Sequence, residues 1–312
     1  MFIASIYQKI VLISPHVEVI LRKFYWKFVD IFVRFRPVSN KAEVGIMSDK
    51  VDFDKISQLI AKKIAGEFPI IIIHSSYKAL KSTNLSPVEI ISNIRKTVGE
   101  NVTIVMPVIR AFEEKGELKD YLKRDLSSVV CEYDKYATPV SSGVLPKVMM
   151  TLPDAYISDC PLNPVVAIGP HAEKMMKNNV HSGKIYPHGK ESAWYYCLIN
   201  KALVVGIGVR LHHNLTIRRV FEELGDWPVE NWFRVRQFCI KSRNNVENVV
   251  SVLERRPQYT VFLAEENMRK KLLENNILEV YDIDGVDVSF VDSETLFKYM
   301  KLQKNKNWPY YI

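Results

Sequence analysis

His74-Ser75-Ser76 closes an apolar run, Phe68–His74, and opens a loop where side-chain hydroxyls and backbone N–H groups can hold a ligand. Thr138-Pro139-Val140-Ser141-Ser142-Gly143 is a second small-polar loop of the same kind. Asp159-Cys160-Pro161-Leu162-Asn163-Pro164 leads into another apolar run, and His212-His213-Asn214 stands at the head of a helical stretch, 215–224. On that stretch Thr216, Arg219 and Glu222 recur every three residues and share one face. Hydroxyls beside N–H groups suit ligand binding, and imidazoles near carboxylates suit proton transfer. Taken singly, each cluster reads equally as an ordinary cap or surface pair.

The motifs of the commoner chemistries are missing. The chain has no GxxxxGK[ST] or GxGxxG phosphate loop, because Gly206-Ile207-Gly208 lacks the third glycine. It also has no GxSxG elbow, HExxH pair or kinase signature. Cys131, Cys160, Cys197 and Cys239 stand far apart, with no CxxC pair and no histidine at ligand spacing. They read as free thiols in a reducing cytoplasm, and no metal site is expected.

The elements that must position the clusters are alternating helices and strands. Residues 53–66 and 87–98 read as helices, the second with Pro87 in its first turn. Short apolar runs at 68–74, 101–108, 164–169 and 201–208 read as buried strands. Beyond 233 the pattern predicts helices near 245–256 and 265–275, with strands around 259–264 and 277–290. The whole implies an α/β fold with an α+β C-terminal part. At 312 residues, 47% hydrophobic and 25% charged, the chain is long and apolar enough for a large core, which excludes disorder. The net charge of +8 comes without a dense Lys/Arg stripe interleaved with aromatics, so nucleic acid is not an expected partner.

Residues 1–50 form an amphipathic helical extension ahead of a domain at 51–312. They carry eight Lys/Arg against four Asp/Glu. Charged residues interrupt every window of about 20, so no membrane span is expected, and no small-residue cleavage site follows a clean apolar run, so no signal peptide is expected either. From Val17 the spacing is helical. Val17, Ile20, Phe24, Phe28, Ile31 and Phe35 form one stripe, and Lys23, Lys27, Asp30 and Arg34 form another. Such a helix over residues 17–36 either packs on the domain or a second subunit, or lies in an anionic membrane surface.

Taken in order, the blocks are more specific than any one of them. IIIHSSYKAL at 71–80, TIVMPV at 103–108, YDKYATPVSSGVLP at 133–146 and LPDAYISDCPLNPVVAIGP at 152–170 come first. GKESAW at 189–194, NKALVVGIG at 200–208 and LTIRRVFEELGDWP at 215–228 follow. In these blocks and spacings the chain resembles the aminoglycoside 3-N-acetyltransferase family from about Phe68 to Trp232, and more weakly to the end. The resemblance implies an α/β fold with a mixed central sheet and flanking helices. It also implies acetyl-CoA as co-substrate and an amine as acceptor. A general base frees the amine's lone pair, which attacks the thioester carbonyl, and donors near the thioester oxygen stabilise the oxyanion. His74, Ser75 and Ser76 match the family's HSS loop, which lies along the CoA arm, and Thr138 matches its Thr-Pro loop.

The catalytic positions depart from the family pattern. TxxHxxE, whose His is the family's expected base, reads Thr216, Arg219, Glu222, and Arg219 cannot be a base at neutral pH. G-x-L-P-E ends here in Lys147, SxHPxxS reads Ser158, Cys160, Pro161, Pro164, and GSP becomes Gly189-Lys190-Glu191. A cleft lined by Lys147, Lys190 and Arg219 repels a polycationic antibiotic and suits an acceptor bearing phosphate or carboxylate. His213 is a candidate replacement base, with His212, His171 and His188 also in the matched region and Glu222 available to orient one of them. Cys160 beside an arginine is a candidate acyl-accepting nucleophile. Two readings follow: an acyl-CoA-dependent transferase for an amino sugar in surface-polysaccharide assembly at the inner face of a membrane, or a non-catalytic scaffold.

Overall fold

Four isoleucines in a row, Ile70–Ile73, are all buried, as befits a strand covered on both faces. In a computed structural model, which describes residues 9–29, 31, 51–112, 120, 125, 126, 128–181, 183–211, 215–226, 232–241 and 247–304, this run is β1 (Ile70–Ser75). It lies at the middle of a seven-stranded mixed sheet with β2 (Thr103–Pro107), β4 (Tyr156–Ile157), β5 (Val165–Ile168), β7 (Ala202–Ile207), β10 (Leu278–Ile283) and β11 (Val286–Asp292). The strand order is β10-β11-β7-β1-β2-β5-β4. β1 runs parallel to β2 and β7, whereas β5 and β11 are antiparallel to their neighbours. The carboxyl ends of β1, β2 and β7 therefore share one edge with the amino end of β5, where Pro107 pairs with Val165.

Helices cover both faces. α2 (Phe53–Ile64) is capped by Asp52, and α3 (Pro87–Val98) begins with a reciprocal Ser86–Glu89 capping box; both bury their apolar stripes on one side of the sheet. On the other side, α4 (Ala193–Ile199) buries Trp194 and Cys197 against Ile70, Ile72 and Val204. The mixed sheet with flanking helices and the α+β C-terminal part agree with the sequence reading.

A second sheet, order β3-β8-β9-β6, stands over the carboxyl edge of the first. It comprises β3 (Val130–Tyr133), β6 (Lys184–Ile185), β8 (Phe233–Lys241) and β9 (Glu247–Arg255). Two expectations are corrected here. The helix expected near 245–256 is β9, because Val250 and Val252 alternate inward with Phe238 of β8 into a small separate core. The strand expected at 259–264 is a 3-10 turn, Pro257–Phe262. The stretch 215–224 is also not one regular helix: a 3-10 turn, Thr216–Arg218, gives way to a single α-turn and then a π-turn, Glu222–Asp226.

The N-terminal segment forms α1 (Pro15–Lys27), capped by Ser14, and docks on α5 (Glu265–Glu274). Residue 30 and residues 32–50, which include Asp30, Arg34, Phe35 and the proposed boundary near 50, lie outside the described residues. The docking face is not the apolar stripe. Buried Glu18 accepts from the N–H groups of Glu266 and Asn267 (3.0 and 3.1 Å) and from Asn267 Nδ2 (2.8 Å), capping a helix whose own N-cap is Ala264. Ile13, Ile20, Phe24 and Ile31 face outward, 51–71% exposed. Among the described residues no helix is long and apolar enough to cross a membrane, and no group of three or more His, Cys, Asp or Glu is arranged to hold a metal ion.

Candidate active site

Three of the scattered clusters, at 74–76, 138–143 and 159–164, gather at the shared carboxyl edge, where α/β sheets commonly bind ligands. His74 belongs to the strand and not to the loop: it is buried, pairs in register with Gly206, and stacks on Trp194 with ring centroids 6.4 Å apart. Ser75 ends β1, and Ser76 follows it, its N–H bonded to Ile207 O at 2.9 Å. Gly208 permits that approach. Its φ is +63°, and a Cβ there would lie 2.4 Å from Ala79 Cβ. The second small-polar loop is pinned to the end of β2, since Ser142 Oγ donates to Pro107 O and accepts from Ile109 N–H. Gly143 brings this loop against Ser75. Thr138 closes a tight turn with Asp134, accepting from Asp134 N–H at 2.9 Å.

Arg110 ties this loop to a cleft between the two sheets. Its Nη1 and Nη2 donate to the carbonyls of Thr138 (2.8 Å) and Lys135 (2.5 Å), and its guanidinium lies over the Tyr133 ring. The cleft, about 430 Å³, is lined by Arg110, Arg219, Arg236 and Arg255 facing Glu222, Glu223 and Glu254, with Asn163 and Phe112 between them. The expected set of Lys147, Lys190 and Arg219 is thus corrected to one member. Lys147 is exposed on the short helix Val144–Met149, and Lys190 lines an adjoining pocket that shares Glu223. Arg110, Arg236 and Arg255 were missed. The signal for one of them is in FRVRQF at 233–238, where Arg234 and Arg236 alternate onto the same face as Phe238 and are buried with it.

Glu222 is held by cations. Its carboxylate lies 3.1 Å from Arg255 Nη1 and 3.4 Å from Arg218 Nη1, and all three side chains are buried or nearly so. Its neighbour Glu223 holds the imidazole that Glu222 was expected to orient: Glu223 accepts from His188 N–H at 2.7 Å and faces His188 Nδ1 at 2.6 Å. Burial pulls the His188 pKa below its usual value, more than Glu223 raises it. The ring is therefore neutral, with its proton at Nδ1 and its Nε2 enclosed without a partner. His171 is at the opposite sheet edge, where its N–H bonds to Thr103 Oγ1 and its ring to Tyr196. His212 and His213 lie outside the described residues.

Cys160 does not suit the nucleophile role. Burial among Tyr133, Ile185 and Phe238 pushes its thiol up to about 12, and the carbonyl of Leu162 is its one side-chain hydrogen-bond partner among the described residues. Arg219 stays charged at neutral pH, although burial, then Arg255 and Arg218, push its pKa down to about 10. Its one hydrogen bond, 3.5 Å long, reaches Asn163 Oδ1, and the carbonyl of Asn163 accepts from Trp194 Nε1. His74, Trp194, Asn163 and Arg219 are thereby brought into one connected wall.

A mixed sheet that gathers its loops above parallel strand ends, beside a second small sheet, defines an α/β protein with a charged cleft. Residues 72–303 match the family model for aminoglycoside 3-N-acetyltransferase, and the chain belongs to that family. Solved structures agree in fold. AAC-IIIb, determined as a binary complex with CoASH, is 20% identical with a TM-score of 0.62, over 80% of this chain and 96% of its own. Aminoglycoside acetyltransferase AAC(3)-IVa, as apoenzyme, is 19% identical with a TM-score of 0.61, over 83% and 90%. YokD from Bacillus subtilis is 17% identical with a TM-score of 0.59, over 80% and 99%. No curated protein matches the chain.

Proposed function

We propose that this protein transfers an acetyl group from acetyl-CoA to the amine of an anionic amino sugar, in the assembly of a surface polysaccharide. Membership of an N-acetyltransferase family supports the reaction type, and the arginine-lined cleft supports the departure from polycationic antibiotics. Ser75, Ser76 and Thr138 would bind the CoA arm, with buried His74 fixing the strand end beneath them. The amine must lose its proton before attack, and the base is assigned to His213, at the head of the segment that carries Arg219 and Glu222. Arg219 would hold charge on the substrate, and Glu222 would position Arg255 and Arg218. The outward apolar stripe of α1, flanked by Lys23 and Lys27, fits peripheral contact with the anionic inner face of a membrane, which would place the enzyme in the cytoplasm.

A second reading, a binding protein on the same fold, is favoured by the loss of the family's His at Arg219 and by the engagement of Glu222 in ion pairs. Acetyl-CoA consumption with a neutral amino sugar, an anionic amino sugar and an aminoglycoside separates the two. The transferase reading expects turnover with the anionic sugar alone, and no turnover with any of the three favours the binding protein.

A further inference from the structure

The four cleft arginines are not equivalent. Arg236 lies 3.0 Å from Glu254 and Arg255 lies 3.1 Å from Glu222, so each has a carboxylate partner. Arg110 and Arg219 have none within ion-pairing distance among the described residues. Arg110 is 6% exposed, its Nη groups spent on two uncharged carbonyls and its buried Nε without any partner. Arg219 reaches only the amide oxygen of Asn163. An arginine without an adjacent counter-charge, buried like Arg110 or half-buried like Arg219, gives up hydration that a bound anion repays. Carbonyl contacts and the Tyr133 ring hold the Arg110 guanidinium in place before any ligand arrives. Each Arg110 Nη keeps one N–H beyond its carbonyl and Arg219 makes a single long hydrogen bond, so two guanidiniums lining one cleft have donors for one oxyanion.

We propose that Arg110 and Arg219 form an oxyanion-binding subsite in the cleft, which holds the carboxylate or phosphate of the acceptor while the carboxylate of Glu223, lining the same cleft, receives its ammonium. The acceptor is then a compact zwitterion, with the anion between Arg110 and Arg219 and the amine at Glu223. This names the substrate class of the transferase reading and rests on it only for the fate of the amine. The subsite itself is a binding property, measurable without acetyl-CoA.

The test is calorimetric titration of the full chain with glucosamine, glucosamine 6-phosphate and 2-amino-2-deoxyglucuronic acid. The wild type, Arg219→Gln, Arg219→Lys and Lys147→Gln are compared, with folding checked by circular dichroism. The subsite predicts binding of one or both anionic sugars at least tenfold tighter than glucosamine, and the tighter of the two tells phosphate from carboxylate. Arg219→Gln should weaken that binding about 10- to 100-fold, in line with the loss of a charge-assisted hydrogen bond. Arg219→Lys should recover part of it, and Lys147→Gln, outside the cleft, should change nothing. Equal affinity for all three sugars, or an unchanged Arg219→Gln, overturns the subsite. A chain that ignores acetyl-CoA but still selects an anionic sugar through Arg219 refutes the transferase reading and leaves the subsite standing.

Discussion

Glu222→Gln tests whether this residue braces the cleft or takes part in the chemistry. The substitution keeps volume and removes one negative charge. In the native protein that charge faces Arg255 at 3.1 Å and Arg218 at 3.4 Å, with side-chain exposures of 3% for Glu222, 9% for Arg255 and 8% for Arg218. Arg219 is close enough that Arg255 and Arg218 already lower its pKa. Without Glu222, Arg218 and Arg255 lose the carboxylate they share, and Arg219 loses one of the two negative charges that raise its pKa. Breaking a buried pair from one side typically costs about 3–5 kcal/mol. Water in the adjoining cleft screens part of this, so about 3 kcal/mol is the expected loss. At about 2–4 °C per kcal/mol for a large domain, the melting temperature should fall by about 6–12 °C. Thermal unfolding followed by circular dichroism at pH 7.5 reads it directly. A variant that melts within about 1 °C of the wild type but transfers no acetyl group would refute the brace and return Glu222 to the chemistry.

Three other expectations follow from the same geometry. Cys160, buried with its thiol pushed up to about 12, should resist iodoacetamide at pH 7.5 in the native protein and react only after denaturation; rapid native labelling would contradict the burial. Because burial lowers the His188 pKa in the folded state, unfolded chains bind the extra proton first, and stability should fall as pH drops through about 6.5 and below. The fall in melting temperature between pH 7.5 and 5.5 should be smaller in His188→Gln, and identical falls would remove His188 as the cause. Finally, Ile20→Glu with Phe24→Glu should abolish co-sedimentation of the full chain with vesicles containing phosphatidylserine, since these two side chains lie 62% and 53% exposed on the outer face of α1; undiminished sedimentation would refute the membrane contact.

What the sequence made legible was local or ordered. The runs Ile70–Ile73 and Ala202–Ile207 announce buried strands because every residue in them is apolar, and the order of the blocks carries the family. Residues 245–256 were misread because a strand with Val249, Val250 and Val252 close together shows its period only against its partner β8. The apolar stripe of α1 was visible, but its outward orientation was not. That orientation depends on Glu18 capping a helix 248 residues away. The cleft was legible in Arg219 alone. Arg110, Arg236 and Arg255 converge on it only through the parallel strand ends and the second sheet, and the Glu223–His188 pair spans 35 residues with no motif to mark it.

Calorimetric titration of acetyl-CoA into the purified full chain decides whether the protein keeps the donor half of the reaction. Saturable binding at micromolar concentration is expected, weakened by Gly208→Ala, whose new Cβ would collide with Ala79 and displace the Ser76 turn. No heat of binding up to millimolar acetyl-CoA would contradict it, and would leave this chain an acetyltransferase in fold and not in function.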